Sequence, residues 1–287
     1  HEPKEIPPQW SQQYQPISTI NPYIYNYLMT QPSQKEWSDV INQLPLDKAA
    51  GPSGITNEML KHLGSNMKNT IRKFVSACIR LNDIPDQWRQ ANIYPIPKPK
   101  PWNCDLNNTR PITLLETTRK AMVRLLNNRL AKIMVKHKVL KSNQFASLPQ
   151  SSTFEPIRVV NEILQDAREK NNEIWVLFQD LSKAYDRVNI FMLEKALIRL
   201  QLPTSFINLI KNIFTNRRNS IFTEHGMTDP YDMLIGIDQG EVISPLLWCI
   251  YYDPLLTQIE SLGLGYKLSH SYKQNLYDNS LTTLEIH

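Results

Sequence analysis

The clearest chemical feature of this 287-residue chain is a carboxylate placed where a run of apolar residues stops. Ile174-Trp175-Val176-Leu177-Phe178 is followed by Gln179 and Asp180. So short and continuous a run predicts a strand buried on both faces. A carboxylate at the end of such a strand is rigidly mounted and faces a cleft. There it can ligate a metal, act as a general acid or base, or cap the next segment, and the residue alone does not choose among these. The second feature is a concentration of cations. Residues 71–141 hold 15 Lys/Arg against 4 Asp/Glu, while the flanking regions are net acidic. A block of this kind suits a polyanion, and the plainer alternative is a solvated basic face. Its centre is a long helix expected over Leu115–Lys138, which carries Arg119, Lys120, Arg124, Arg129 and Lys132.

Other chemistries are not indicated. The three cysteines, Cys78, Cys104 and Cys249, lie far apart, with neither zinc-site nor disulfide-framework spacing, and read as buried thiols in a reducing compartment. No Gly-rich phosphate-binding string occurs among the 8 glycines. The most apolar stretch, Val242–Leu256, is interrupted by Pro245, Asp253 and Pro254 and is too short to span a bilayer. No signal peptide opens the chain, which begins at His1 and reads as an internal piece of something longer. An intracellular location, nucleus or cytoplasm, is therefore expected, with no membrane partner.

The elements that must position these groups follow from local signals. Residues 1–32 read as an extended leader. Ser33 and Glu36 form a capping box for a helix carrying Trp37, Val40, Ile41 and Leu44. A turn-rich loop, Asp47–Gly54, precedes a short helix from about Thr56 and a longer one with Met67, Ile71, Phe74, Val75 and Cys78 on one face. Ala91–Pro99 is extended, and its prolines confine it to an edge or a loop. Ser152 and Glu155 form a second capping box before a helix with Ile157, Val160, Ile163, Leu164 and Ala167. Helices are expected at about 190–200 and 204–215, and a hairpin joins Ser220–Glu224 to Tyr231–Ile237 across Gly226. Ser244-Pro245 reads as an N-cap with proline in first position. The tail forms two weak strands about a polar turn at Asp278-Asn279.

Phe178-Gln179-Asp180-Leu181-Ser182-Lys183-Ala184-Tyr185-Asp186-Arg187-Val188 closely resembles the first catalytic motif of reverse transcriptases of non-LTR (LINE-like) retrotransposons. Asp238-Gln239-Gly240-Glu241-Val242-Ile243-Ser244-Pro245, some 58 residues on, resembles their second motif. Lys48–Ile55, Trp88–Lys98, Arg110–Leu114 and Gln144–Thr153 resemble the segments around the family's fingers, so the likeness spans about residues 40–260. It implies an α/β (α+β) right-hand polymerase fold, with helix-rich fingers, a partial palm built on a mainly antiparallel sheet, and no thumb. The implied divisions are 1–45 as leader and first helix, 46–172 as fingers, and 173–287 as partial palm.

The resemblance also implies roles. Asp180 and the carbonyl near Leu181 would hold Mg²⁺, two ions in the full-length enzyme. Lys183 and Ala184 would meet the triphosphate of a deoxynucleotide through backbone N–H groups. Tyr185 would wall off a 2′-hydroxyl, where RNA-dependent RNA polymerases typically carry Asp. Lys98 and Arg110 would clamp phosphate, which suits a planar bidentate guanidinium. Gln239 and Gly240 would contact the nucleotide, and the basic helix would track an RNA template and DNA primer. Two departures stand out. The family's third motif, with its Asp-Asp pair, is absent, so the chain is expected to stop near the strand Leu281–Ile286 and to be inactive alone. Ala146-Ser147-Leu148-Pro149-Gln150 replaces a usual Gly-Phe-Arg-Pro-Gly. The readings set against an RNA-directed DNA polymerase are a non-catalytic nucleic-acid-binding relic and a group II intron maturase-like protein.

Overall fold

A computed structural model describes residues 5–101, 104–141, 144–149, 152–272 and 282–286, with backbone only for 268–272 and 282–286. The helices are α1 (Gln34–Asn42), α2 (Asn57–His62), α3 (Ser65–Leu81), α4 (Thr117–Lys136), α5 (Phe154–Glu169), α6 (Ile190–Arg199), α7 (Thr204–Phe214) and α8 (Ser244–Ser261). The strands are β1 (Gln90–Pro97), β2 (Thr109–Leu114), β3 (Arg217–Thr223), β4 (Gly226–Met227), β5 (Tyr231–Met233), β6 (Leu268–Tyr272) and β7 (Thr282–Ile286). The fold is mixed α/β.

The main sheet runs β2-β1-β3-β4, with β5 also on β3. It is mostly antiparallel, but β1 and β3 pair in parallel, Gln90 opposite Arg218 and Ile93 opposite Ile221. That ladder stops at Ile93, and beyond it Pro95 and Pro97 pair only with β2, opposite Pro111 and Thr109. The prolines thus sit where one side of β1 needs no donor, although the strand is internal at its start. The tail strands β6 and β7 pair antiparallel, and the turn expected at Asp278-Asn279 lies outside the described residues.

Several helix starts match their sequence signals. Ser33 Oγ accepts from Glu36 N at 3.1 Å, and Thr56 Oγ1 accepts from Met59 N at 3.3 Å. The second capping box does not form: Thr153 is the N-cap of α5 and makes no side-chain cap bond. Ser244 is the first residue of α8 rather than its cap, and its hydroxyl donates to the Asp238 carbonyl at 2.8 Å. Cys78 and Cys249 are buried as expected, but Cys104 is exposed.

One continuous core draws on the leader (Tyr25, Leu28), α1, α3, α4, α6, α7 and α8. Helix α4 runs through its middle. Met122, Leu125, Leu126 and Leu130 are buried, and so are Arg119 and Arg129. The expected basic track on α4 is therefore not a surface: of its five candidate cations only Lys132 is exposed, while Lys120 and Arg124 are partly covered. Arg129 bonds Glu36 through Nε and Nη2 at 2.8 and 2.6 Å, and Nη1 donates to the carbonyls of Leu28 and Thr30. It staples leader and α1 to α4. The buried strand expected at 174–178 is not formed either. Among the described residues no strand pairs with this segment, and Trp175, Leu177 and Phe178 are largely exposed. A buried strand needs covered faces and bonded edges, and this segment has neither.

Burial works to raise the Glu36 carboxyl, but the Arg129 hydrogen bonds and charge outweigh it and hold Glu36 below its usual 4.5. A depressed carboxylate stabilises above its unfolded value and loses that contribution as pH falls through its folded one. The melting temperature of wild type should therefore exceed that of Glu36→Gln at neutral pH, with the gap closing as pH drops below about 4.5. A gap that stays constant down to strong acid would mean the pair contributes no ionic stabilisation.

Candidate nucleotide and nucleic-acid site

Lys98, Arg110, Tyr185, Gln239 and Gly240 sit on three segments that the backbone joins. The first is the β1–β2 hairpin, where Ile96 faces Arg110 and Lys98 N donates to Asn108 O at 2.8 Å. Lys98 Nζ donates to the Asn107 carbonyl at 2.9 Å, and Arg110 is exposed. The second is a 3₁₀ turn at Tyr185–Arg187. The third is the loop from Gly236 to Glu241, which leads into α8.

The second and third segments are bonded directly. Gly236 N donates to Val188 O at 2.8 Å, and Ile237 N donates to Tyr185 O at 2.9 Å. Gly236 has φ +84, and a Cβ there would lie 2.8 Å from the Asp186 carbonyl oxygen, so both conformation and space call for glycine. The third segment meets the first at Gly240, where a Cβ would fall 2.5 Å from the Thr113 carbonyl oxygen. Thr113 lies three residues along β2 from Arg110, roughly 10 Å. Tyr185, Gln239 and Gly240 are thus tied to the Thr113 end of the hairpin, with Arg110 three residues and Lys98 five residues farther along it, roughly 10 and 17 Å. Tyr185 is half-buried and meets Trp248 edge-on at 6.2 Å. Burial, with Cys249 second, pushes its hydroxyl above the usual range.

Under the third segment lies a buried charge cluster in which Arg119, expected on a nucleic-acid track, is joined to Arg217, Asp238 and Glu241. Arg119 donates from Nε to Glu241 and from Nη2 to Asp238, both at 2.9 Å, and from Nη1 to the Trp88 carbonyl at 2.7 Å. Arg217 donates from Nη1 to the other Asp238 oxygen at 2.6 Å, and from Nη2 to the carbonyls of Ile235 and Gly236. All four side chains are almost wholly buried. Burial pushes the Glu241 carboxyl up; the Arg119 charge opposes this and Asp238 adds to it. Burial also draws the Lys120 ammonium down, against Glu241 and Glu116. Arg119 and Arg129 therefore have no surface to offer a phosphate. The signal for this cluster was present, two acids flanking Gln239-Gly240, but its cationic partners are distant in sequence.

Asp180, Leu181 and Lys183 lie on the segment that leads into the Tyr185 turn. They are exposed, in irregular backbone, and Lys183 has φ 54; Ala184, next to Tyr185, is half-buried. Asp180 is one exposed carboxylate, and among the described residues no three His, Cys, Asp or Glu side chains come together to hold an ion. No described helix is long and apolar enough to cross a membrane.

A family profile described as "Reverse transcriptase (RNA-dependent DNA polymerase)" matches residues 96–270, more than half of the chain. The chain belongs to the reverse transcriptase family. Among relatives of this reverse transcriptase domain is the "Probable RNA-directed DNA polymerase from transposon BS" of Drosophila melanogaster, 30% identical over 76% of this chain and 24% of that protein. The corresponding transposon X-element protein of the same species is 32% identical over 75% of this chain and 24% of its own length. The "RNA-directed DNA polymerase from mobile element jockey", also from Drosophila melanogaster, is 26% identical over 78% and 24%. The chain spans about a quarter of the length of these curated relatives.

The contact at Gly240 has a direct consequence. Gly240→Ala should lower stability by about 1–3 kcal/mol, because the Thr113 backbone cannot give way. Gly265→Ala, where a Cβ would meet nothing within 4 Å, should change it by less than about 0.5 kcal/mol. Urea denaturation midpoints of the two variants check this, and equal midpoints would contradict the close approach.

Proposed function

We propose that this chain is the part of a retrotransposon RNA-directed DNA polymerase that receives the template–primer and the incoming deoxynucleoside triphosphate. In this reading residues 46–172 act as fingers, 173–287 as partial palm, and 1–45 as a brace packed against both. The observation that carries it is the joining of three segments: the hairpin with Lys98 and Arg110, the turn with Tyr185, and the loop with Gln239 and Gly240. Lys98 and Arg110 offer positive charge to a triphosphate. The Tyr185 ring, stiffened by Trp248 and by the backbone bond to Ile237, supplies a wall against a 2′-hydroxyl. Gln239, exposed and with its amide unpartnered among the described residues, is available to a sugar or base. Asp180 and Leu181 are the carboxylate and carbonyl this reading assigns to Mg²⁺, and Lys183 and Ala184 lie on the same loop.

Nucleic-acid contact falls to cations other than those buried in α4. Lys73 and Arg80 on α3, Lys100 and Arg110 on the hairpin, and Lys132, Lys136 and Lys138 at the end of α4 are exposed. They make sequence-independent phosphate contacts, for which affinity falls linearly with the logarithm of salt.

Anisotropy titrations of a labelled RNA-template/DNA-primer hybrid over a salt series should show this dependence. Lys132→Ala should reduce the slope by roughly one phosphate's worth. Displacement of a fluorescent deoxynucleoside triphosphate from the protein–hybrid complex should favour dGTP over GTP opposite cytosine. Tyr185→Ala should narrow that preference by about tenfold or more, one 1.4 kcal/mol step. A salt-independent affinity, or a Tyr185→Ala variant with undiminished discrimination, would remove the basis for this function.

A further inference from the structure

The four-residue stretch Asp238–Glu241 has an unusual construction. Its two ends are acidic side chains held inside the protein, and its middle, Gln239-Gly240, is exposed. Every carboxylate oxygen at the ends is engaged: both Asp238 oxygens by the two guanidinium groups, and the Glu241 oxygens by Arg119 and by Val242 N at 3.1 Å. The turn is closed as well by the main-chain bond from Glu241 N to Asp238 O at 3.2 Å and by the Ser244 hydroxyl, which donates to the same carbonyl. Arg119 comes from α4 and Arg217 from β3, so the turn is referenced to two separate elements. Arg217 also grips the carbonyls of Ile235 and Gly236, the residues just before the bond from Ile237 to Tyr185.

Burying four charges is a costly way to hold a turn. Well-packed apolar side chains of similar volume often stabilise as well or better, so cohesion alone does not call for the cluster. A network of directed bonds fixes position and orientation, which apolar packing does less well. From this we infer that Arg119, Arg217, Asp238 and Glu241 are positioning residues for the nucleotide: they set where Gln239 and Gly240 stand relative to β2 and Tyr185. This rests on the nucleotide-binding reading of that turn.

The test compares two buried ion pairs in the full chain. Asp238→Asn weakens the cluster under the turn. Asp253→Asn weakens the buried Arg199–Asp253 pair, which joins α6 to α8. Both should lower the melting temperature. Only Asp238→Asn should weaken binding of a fluorescent deoxynucleoside triphosphate to the protein–hybrid complex, by about tenfold. Its affinity for the hybrid itself should stay within about twofold, the scatter expected for an unconnected site. Amide exchange over residues 236–241 should quicken in Asp238→Asn and not in Asp253→Asn. Should Asp238→Asn fail to fold, Glu241→Gln takes its place, with the same expectations. Equal nucleotide weakening by both variants, or unchanged affinity and exchange in the cluster variant, would overturn the inference. If wild type itself binds no nucleotide, the proposed function fails, and the exchange data alone then decide whether the cluster positions the turn.

Discussion

Through Nε, Nη1 and Nη2, the Arg119 guanidinium reaches two places that are distant in sequence: the carbonyl of Trp88 just ahead of β1, and the turn that carries the carboxylates of Asp238 and Glu241. Much of the architecture follows from this one group. It fixes the central helix against the start of the sheet and against the loop that enters α8. Arg217 extends the same network into β3. Because the charges are buried, losing any one member is costly. Removing one partner from such a set costs about 3–5 kcal/mol, since the remaining charge is left without solvent or counterion. The helix core supplies most of the apolar stabilisation, while the ionic centre decides how helices and sheet are oriented.

A second arginine on the same helix does comparable work at the other end. Arg129 gathers the Leu28 and Thr30 carbonyls and the Glu36 carboxylate, and stacks over the Tyr27 ring at 4.5 Å. The leader, rich in polar residues and prolines, would have little reason to order by itself. Tyr25 adds a buried hydroxyl bonded to the Leu200 carbonyl at 2.9 Å. Two directed anchors turn a weakly structured segment into part of the core. They also explain why a helix with so many cations is not cleanly amphipathic: Arg119 and Arg129 face partners inside the protein, while Lys132 and Lys136 face water.

What could be read from sequence divides along the same line. Ser33, Thr56 and the long helices were legible because their causes are local, a cap three residues away or a repeat of apolar positions. The motifs around Tyr185 and Gln239 were legible as strings, and the structure ties those strings together through Gly236 and Gly240. Arg119 and Arg129 were misread as surface because a charge shows in the sequence while its buried partner, some hundred residues away, does not. Thr109–Leu114 drew no strand assignment, since Pro111 and polar neighbours mask a segment that pairs along its whole length with β1. The run 174–178 failed in the opposite sense. Its composition states a preference for burial, but burial also requires strands to bond with it, and none of the described strands does.

The parallel pairing of β1 with β3 bears on the order in which the molecule can assemble. Gln90 and Arg218 are separated by about 130 residues of intervening chain, so this ladder closes a very long loop. Loop-closure entropy of that kind is recovered only after the non-local contact forms, and topologies rich in such contacts acquire structure slowly. On a ribosome, β1 and β2 emerge well before β3 exists. During that interval the inner edge of β1 at Gln90–Ile93 is an open ladder in search of a partner, with Ala91 and Ile93 destined for the interior. The nascent chain is thus most exposed to mispairing between the synthesis of its first hairpin and the arrival of β3, an interval set by translation speed and not by stability.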